Sequence, residues 1–157
     1  MKRLIATYAL LMVLSMIVVS CEHKELCYSH PHSAKVSVEF EWSQMPAAYS
    51  PGGMRVIFYP RNGGEEIVRD FVGKKGGCVE IPSGVYDVVC FNNDTQRVKY
   101  NGADGFSLIA ATTGVAQVGD VKVFRTPDYL CGGRMVAVEV EVKIGCEQII
   151  VLPVAPM

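Results

Sequence analysis

Cys27, His30 and His32 are three residues of metal-ligating type within six positions. His30 and His32 stand at i and i+2, on one side of an extended segment. With Cys27 they offer the thiolate and imidazole groups that zinc or copper takes. The same residues can simply pack against the strand that follows, and a short polar tether pre-organises no coordination geometry. The expectation is therefore no metal and no cofactor. Nucleophilic catalysis fares no better. No histidine occurs after His32, so a serine or cysteine paired with histidine would need the tether to fold back. Asp87, Asp94, Asp104, Asp120 and Asp128 are scattered singly. Glycoside hydrolysis needs two carboxyl groups about 5–10 Å apart, and nothing in this spacing selects a pair. There is no GxSxG, P-loop, HExxH or dinucleotide fingerprint. Tyr49, Tyr100 and Tyr129 stand near loops, where an amphipathic ring can line a carbohydrate or peptide surface. The chemistry to expect is binding, with no catalytic residue.

One further cysteine is set up for modification. Lys2-Arg3 opens an apolar run from Leu4 to Val19, interrupted by Thr7, Tyr8 and Ser15. The run is short for a membrane span, which needs about 20 apolar residues, and no stop-transfer charge follows it. It reads as a cleaved signal helix. A small Ser20 directly before Cys21, with Val18 and Val19 behind it, resembles a bacterial lipobox. By that likeness cleavage falls between Ser20 and Cys21, and Cys21 carries the acyl groups. More than one chain is needed for a lasting anchor. The expected location is the outer membrane, lipid-anchored at Cys21, with the periplasmic and the surface-exposed face both open.

The 157 residues divide on this reading into a signal peptide (1–20), a lipidated cysteine and polar tether (21–33), a sandwich domain (34–130) and C-terminal strands (131–157). Removing Lys2 and Arg3 takes the formal charge from −1 to −3, which leaves no basic stripe for nucleic acid. Beyond Cys21 an odd number of cysteines remains: Cys27, Cys78, Cys90, Cys131 and Cys146. Their spacing sets out no disulfide framework. Cys90 and Cys146 run in phase with apolar neighbours and read as small buried hydrophobes.

The positioning elements are strands. From Lys35 to Ser43 the chain alternates, with Val36, Val38, Phe40 and Trp42 on one face. Met54 to Tyr59 is apolar on both faces and reads as central. Arg61-Asn62-Gly63-Gly64 signals a hairpin to a strand over 66–71. Pro82-Ser83-Gly84 predicts another hairpin, with Ile81 near Tyr86, Val79 near Val88 and Cys78 near Val89. Phe106 to Ala110 fits a short helix or a strand. Val115 to Phe124 is strand-like, broken at Gly119-Asp120. Val136, Val138, Val140, Val142 and Ile144 form the apolar face of a strand over 134–144, and Gln148 to Leu152 is a last apolar run. About eight strands and little helix predict an all-β, antiparallel β-sandwich.

Three segments together resemble a known group. They are the run Lys24-Glu25-Leu26-Cys27-Tyr28-Ser29-His30-Pro31-His32 after the lipobox; the turn Ile81-Pro82-Ser83-Gly84-Val85-Tyr86 leading to Phe91-Asn92; and Thr126-Pro127-Asp128-Tyr129-Leu130. They look like the fimbrillin-like outer-membrane lipoproteins of Bacteroidales. The resemblance covers most of residues 21–130. It implies a transthyretin-like N-terminal sandwich and a non-catalytic role as a fimbria-associated anchor, accessory or adhesin-like subunit. Fimbrial subunits and the membrane are the partners it implies. The alternative is a surface module for glycans or peptides. The group continues into a second β-domain, so residues 131–157 are either closing strands or the start of a second domain cut short.

Overall fold

The computed structural model describes residues 33–124, 128–142 and 147–157. The expected signal peptide, Cys21, the expected tether with Cys27, His30 and His32, and Cys146 lie outside the described residues.

Strand β1 (Ser33–Glu41) follows its sequence pattern: Ala34, Val36, Val38 and Phe40 point inward, and the residues between them face solvent or its margin. Trp42, beyond the strand's end, is half-buried against the core and donates its indole N–H to the Lys74 carbonyl at 3.1 Å. β2 (Gly53–Pro60) and β3 (Ile67–Val72) form the hairpin signalled by Asn62-Gly63-Gly64, with Phe58 opposite Ile67. Gly63 and Gly64 take φ of 84° and 123° there, a backbone region open chiefly to glycine.

β4 (Gly77–Pro82) and β5 (Gly84–Asn92) are consecutive yet lie in different sheets. This corrects the expected hairpin. β4 pairs with β1, so Cys78 sits opposite Ser37, while β5 pairs with β2. The apolar pattern explains the error. Ile81 and Tyr86 are both buried, and both belong to the same core, reached from opposite layers. Pro82 supplies no ladder donor. The Tyr86 hydroxyl donates to the Pro82 carbonyl at 2.8 Å and ties the corner shut.

Residues 93–130 leave the sandwich and return. They carry two short hairpins, β6 (Val98–Asn101) with β7 (Ala110–Thr113), and β8 (Val115–Val118) with β9 (Val121–Phe124). Of the stretch 106–110, expected as a helix or a strand, 106–108 are turn and only Ala110 is strand, opening β7. Gly119, at φ 61°, turns the second hairpin where the sequence broke.

β10 (Cys131–Val140), β11 (Gln148–Pro153) and β12 (Ala155–Pro156) complete the two layers. One sheet has the order β11-β1-β4 and the other β12-β10-β5-β2-β3. Seven of these eight strands match expected ones; the expected strand-like run 115–124 is the β8–β9 hairpin, and β6, β7 and β12 are additional. One pairing departs from the antiparallel expectation: β11 runs parallel to β1, with Val38 opposite Ile150. In that register Ile150 and Leu152 stand beside Val38 and Phe40 and enter the core from the edge of the β1 sheet.

The expected face of β10 is also corrected. Val138 and Val140 are buried, but Val136 and Val142 are largely exposed. A bulge between Met135 and Val138 shifts the register, with Ala137 at φ 55°. An extra residue in one strand reverses the alternation behind it.

The main core lies between the layers and includes Val36, Val38, Met54, Phe58, Val88 and Leu152. A second cluster sits on the outer face of the five-stranded sheet. There Ile57, Tyr59, Val89 and Phe91 pack beneath Ile109, with Phe106 and Tyr100 beside them. β2 and β5 are therefore covered on both faces, which is why their sequences are continuously apolar.

Candidate functional site

β1 and β5 end, and β2 and β10 begin, at the same end of the sandwich. A cleft of about 280 Å³ opens there, lined by Tyr49, Asn92, Asp94, Gln96, Asp128 and Tyr129 among others. Its frame is Asn92, the last residue of β5. This side chain is 1% exposed, and every polar atom it carries is used. Its amide nitrogen donates to Asp94 at 2.9 Å and to the Tyr129 carbonyl at 3.1 Å. Its oxygen accepts the Cys131 N–H at 2.9 Å. A fully satisfied buried amide locks its neighbours together.

The two carboxylates are held by main-chain donors. Asp94 Oδ2 accepts the Gly52 N–H at 2.6 Å. Asp128 Oδ2 accepts the N–H groups of Gln96 and Arg97 at 2.8 and 2.6 Å. Three loops are thus stitched across the cleft, in the manner usual for turn aspartates. The Tyr49 and Tyr129 rings pack at 4.6 Å between centroids, tilted by 39°. Tyr49 turns its hydroxyl inward toward Cys131 Sγ, 3.8 Å away. Burial, that contact and the nearby Cys131 and Asp94 push its pKa upward. Tyr129 keeps about half its surface exposed.

Tyr100 is elsewhere. It borders a separate apolar pocket of about 140 Å³ on the outer face of the five-stranded sheet, with Phe91, Ile109, Gly132, Gly133 and Arg134. Its ring lies on Phe91 at 3.9 Å. Its hydroxyl is buried and has no hydrogen-bond partner among the described residues. Burial, with Cys131 and Asp94 nearby, raises it to about 12. Of the three loop tyrosines singled out in the sequence, Tyr49 and Tyr129 reach the polar cleft and Tyr100 does not. Asn92, Asp94 and Asp128 were missed as members. Asp94 and Asp128 read correctly as turn residues, but nothing in the sequence says that those turns meet. Asn92, at the end of an apolar run, was the available signal, because a buried amide there must find partners.

Cys78, Cys90 and Cys131 are free thiols. Cys90 is buried, as its apolar phase predicted, and burial pushes it up to about 12. Among the described residues no group of three His, Cys, Asp or Glu side chains could hold a metal ion.

Comparison with known proteins places these features. A protein of Bacteroides ovatus named "Putative fimbrium anchoring subunit Fim4B" is 30% identical over 129 residues, which are 78% of this chain and 38% of that protein. The chain therefore spans well under half the length of that relative. A crystal structure described as a putative adhesin from Bacteroides ovatus superposes with a TM-score of 0.70 at 24% identity. It covers 87% of this chain and 49% of the other. That likeness establishes the fold: an all-β sandwich. The fimbrillin-like resemblance drawn from the sequence is borne out, and the chain, matched over residues 20–156, belongs to the family described as "Domain of unknown function (DUF5119)".

Proposed function

We propose that this chain is a lipid-anchored envelope protein that acts as an anchor, accessory or adhesin-like component of fimbriae. The observation that carries the reading is the 129-residue match to a protein named as a fimbrium anchoring subunit. The lipobox-like Val18-Val19-Ser20-Cys21 supports attachment to the outer membrane through acylated Cys21. Other fimbrial subunits are the partners this reading requires. The role is binding, without catalysis: no histidine follows His32 to serve a nucleophile, and the cleft carboxylates are engaged by backbone N–H groups.

Two measurements on the full chain test this. Membrane fractionation of cells carrying Cys21→Ala should move the protein from the membrane to the soluble fraction. Retention at the wild-type level would refute the anchor. Fimbriae purified under native conditions should carry the protein, as read by mass spectrometry. Its consistent absence from them would refute the fimbrial role.

A further inference from the structure

We infer that the cleft between Tyr49, Asp94, Asp128 and Tyr129 is a saccharide-binding site that takes a neutral terminal pyranose. The inference does not depend on the fimbrial reading. It rests on how the cleft is built.

Tyr129 is 48% exposed as a residue and lines the cleft. Its other surroundings are fixed twice, by the Tyr49 ring at 4.6 Å and by Asn92 on its carbonyl at 3.1 Å. A flat apolar surface held this rigidly suits the C–H-rich face of a sugar ring. The hydroxyls of such a ring need acceptors beside it. Asp128 supplies one: Oδ2 takes two backbone donors, while Oδ1 has no hydrogen-bond partner among the described residues. Asp94 lines the same cleft, and the exposed amide of Gln96 adds both a donor and an acceptor. The two carboxylates are held by main-chain donors before any ligand arrives, so engaging them loses little side-chain freedom.

The same geometry disfavours other occupants. An extended peptide is commonly recognised through free main-chain donors at a strand edge. Here the N–H groups of Gly52, Gln96 and Arg97 already point into the carboxylates. An anionic glycan would meet two carboxylates, and like charges brought together are costly. The volume of about 280 Å³ is at or below the lower end of pockets for drug-sized ligands, roughly 300–1,000 Å³. It has room for one or two sugar rings. A ligand of that size in an open cleft binds with Kd on the order of 1 mM.

The test uses the full chain against an array of neutral, sialylated and sulfated oligosaccharides and a parallel peptide array. Saturation-transfer NMR with methyl hexosides then supplies the affinity. The expected result is capture of neutral glycans, weakened at least 10-fold by Tyr129→Ala. Tyr129→Phe keeps the ring and should retain binding within a few-fold, while Asp128→Asn should weaken it several-fold. Tyr100→Phe, in the other pocket, should leave it unchanged. Circular dichroism and the melting transition of each variant show whether the fold persists, and Asp128→Asn preserves the test if Tyr129→Ala does not fold: a folded Asp128→Asn that binds as well as wild type overturns the inference. The inference is overturned if no neutral glycan binds, if only sialylated or sulfated glycans bind, if peptides bind in their place, or if folded Tyr129→Ala binds as well as wild type.

Discussion

Asn92 is the buried polar side chain among the described residues, and it joins the end of β5 to the segment holding Tyr129 and Cys131, distant in sequence. Replacing it by alanine leaves the Cys131 N–H and the Tyr129 carbonyl without their partner in a dry site. An unsatisfied buried group costs about 1–3 kcal/mol. Asn92→Ala should therefore lower the unfolding free energy by about 3 kcal/mol, measured by urea denaturation with an unchanged slope. Asp87 has a different part. Its Oδ1 accepts Arg61 Nε at 2.8 Å and the Ala137 N–H at 2.9 Å. Partial burial opposes ionisation, but these two donors win and hold the carboxyl below its ordinary value. A group depressed in the folded state contributes stability above its unfolded pKa, about 3.9. That contribution disappears as pH falls through the lower folded value. The wild type should lose stability below about pH 4 more steeply than Asp87→Asn, in paired urea titrations at pH 7 and pH 3. The group is near solvent, so the difference should stay under about 1 kcal/mol.

At the scale of elements, the bulge in β10 is the strained feature. Ala137 is the only described non-glycine residue at positive φ, a conformation that costs an L-residue roughly 1–2 kcal/mol. Asp87 holds it there through the backbone N–H. Ala137→Gly should raise stability by about 0.5 kcal/mol, the relief of strain exceeding the added chain entropy of glycine. Ala137→Val should lower it by more than that. The β8–β9 hairpin is the opposite case. Val115, Val118, Val121 and Val123 are all exposed, and each strand pairs only with the other. An isolated two-stranded ribbon is marginal in water. Amide exchange should be fastest in residues 115–124 and slowest in β2 and β5, which are covered on both faces. The strands themselves were legible because period-two alternation is local. Their partners were not: Pro82-Ser83-Gly84 has the composition of a hairpin turn, yet it carries the chain between layers, and only the Tyr86–Pro82 contact distinguishes the two.

For the whole molecule, the thiols report cooperative unfolding. Cys90 and Cys131 are buried, and Cys78 is exposed. Iodoacetamide labelling with peptide mapping should modify Cys78 in the native state and leave Cys90 and Cys131 protected until the sandwich opens. The hydrogen bond from Cys78 to Glu147, at 2.6 Å, raises its pKa and should slow that reaction relative to a free thiol. The cleft was the part least visible beforehand, since Tyr49 and Tyr129 are 80 positions apart. Tyr129 was identifiable as a loop aromatic, but its pairing with Tyr49 exists only once β1, β5 and β10 share one end of the fold.

The parallel pairing of β1 with β11 has a mechanical consequence. The two strands are in register over six positions, from Val36 with Gln148 to Glu41 with Pro153. Tension applied between residue 33 and residue 153 pulls the start of one strand against the finish of the other. Such a load acts along the strands and strains the whole ladder at once. Pulled from adjoining ends, the same bonds would open singly, like a zipper. The fold therefore resists stretching along this axis far better than peeling across it. A chain held at β1 and tugged through β11 would meet force in its strongest direction.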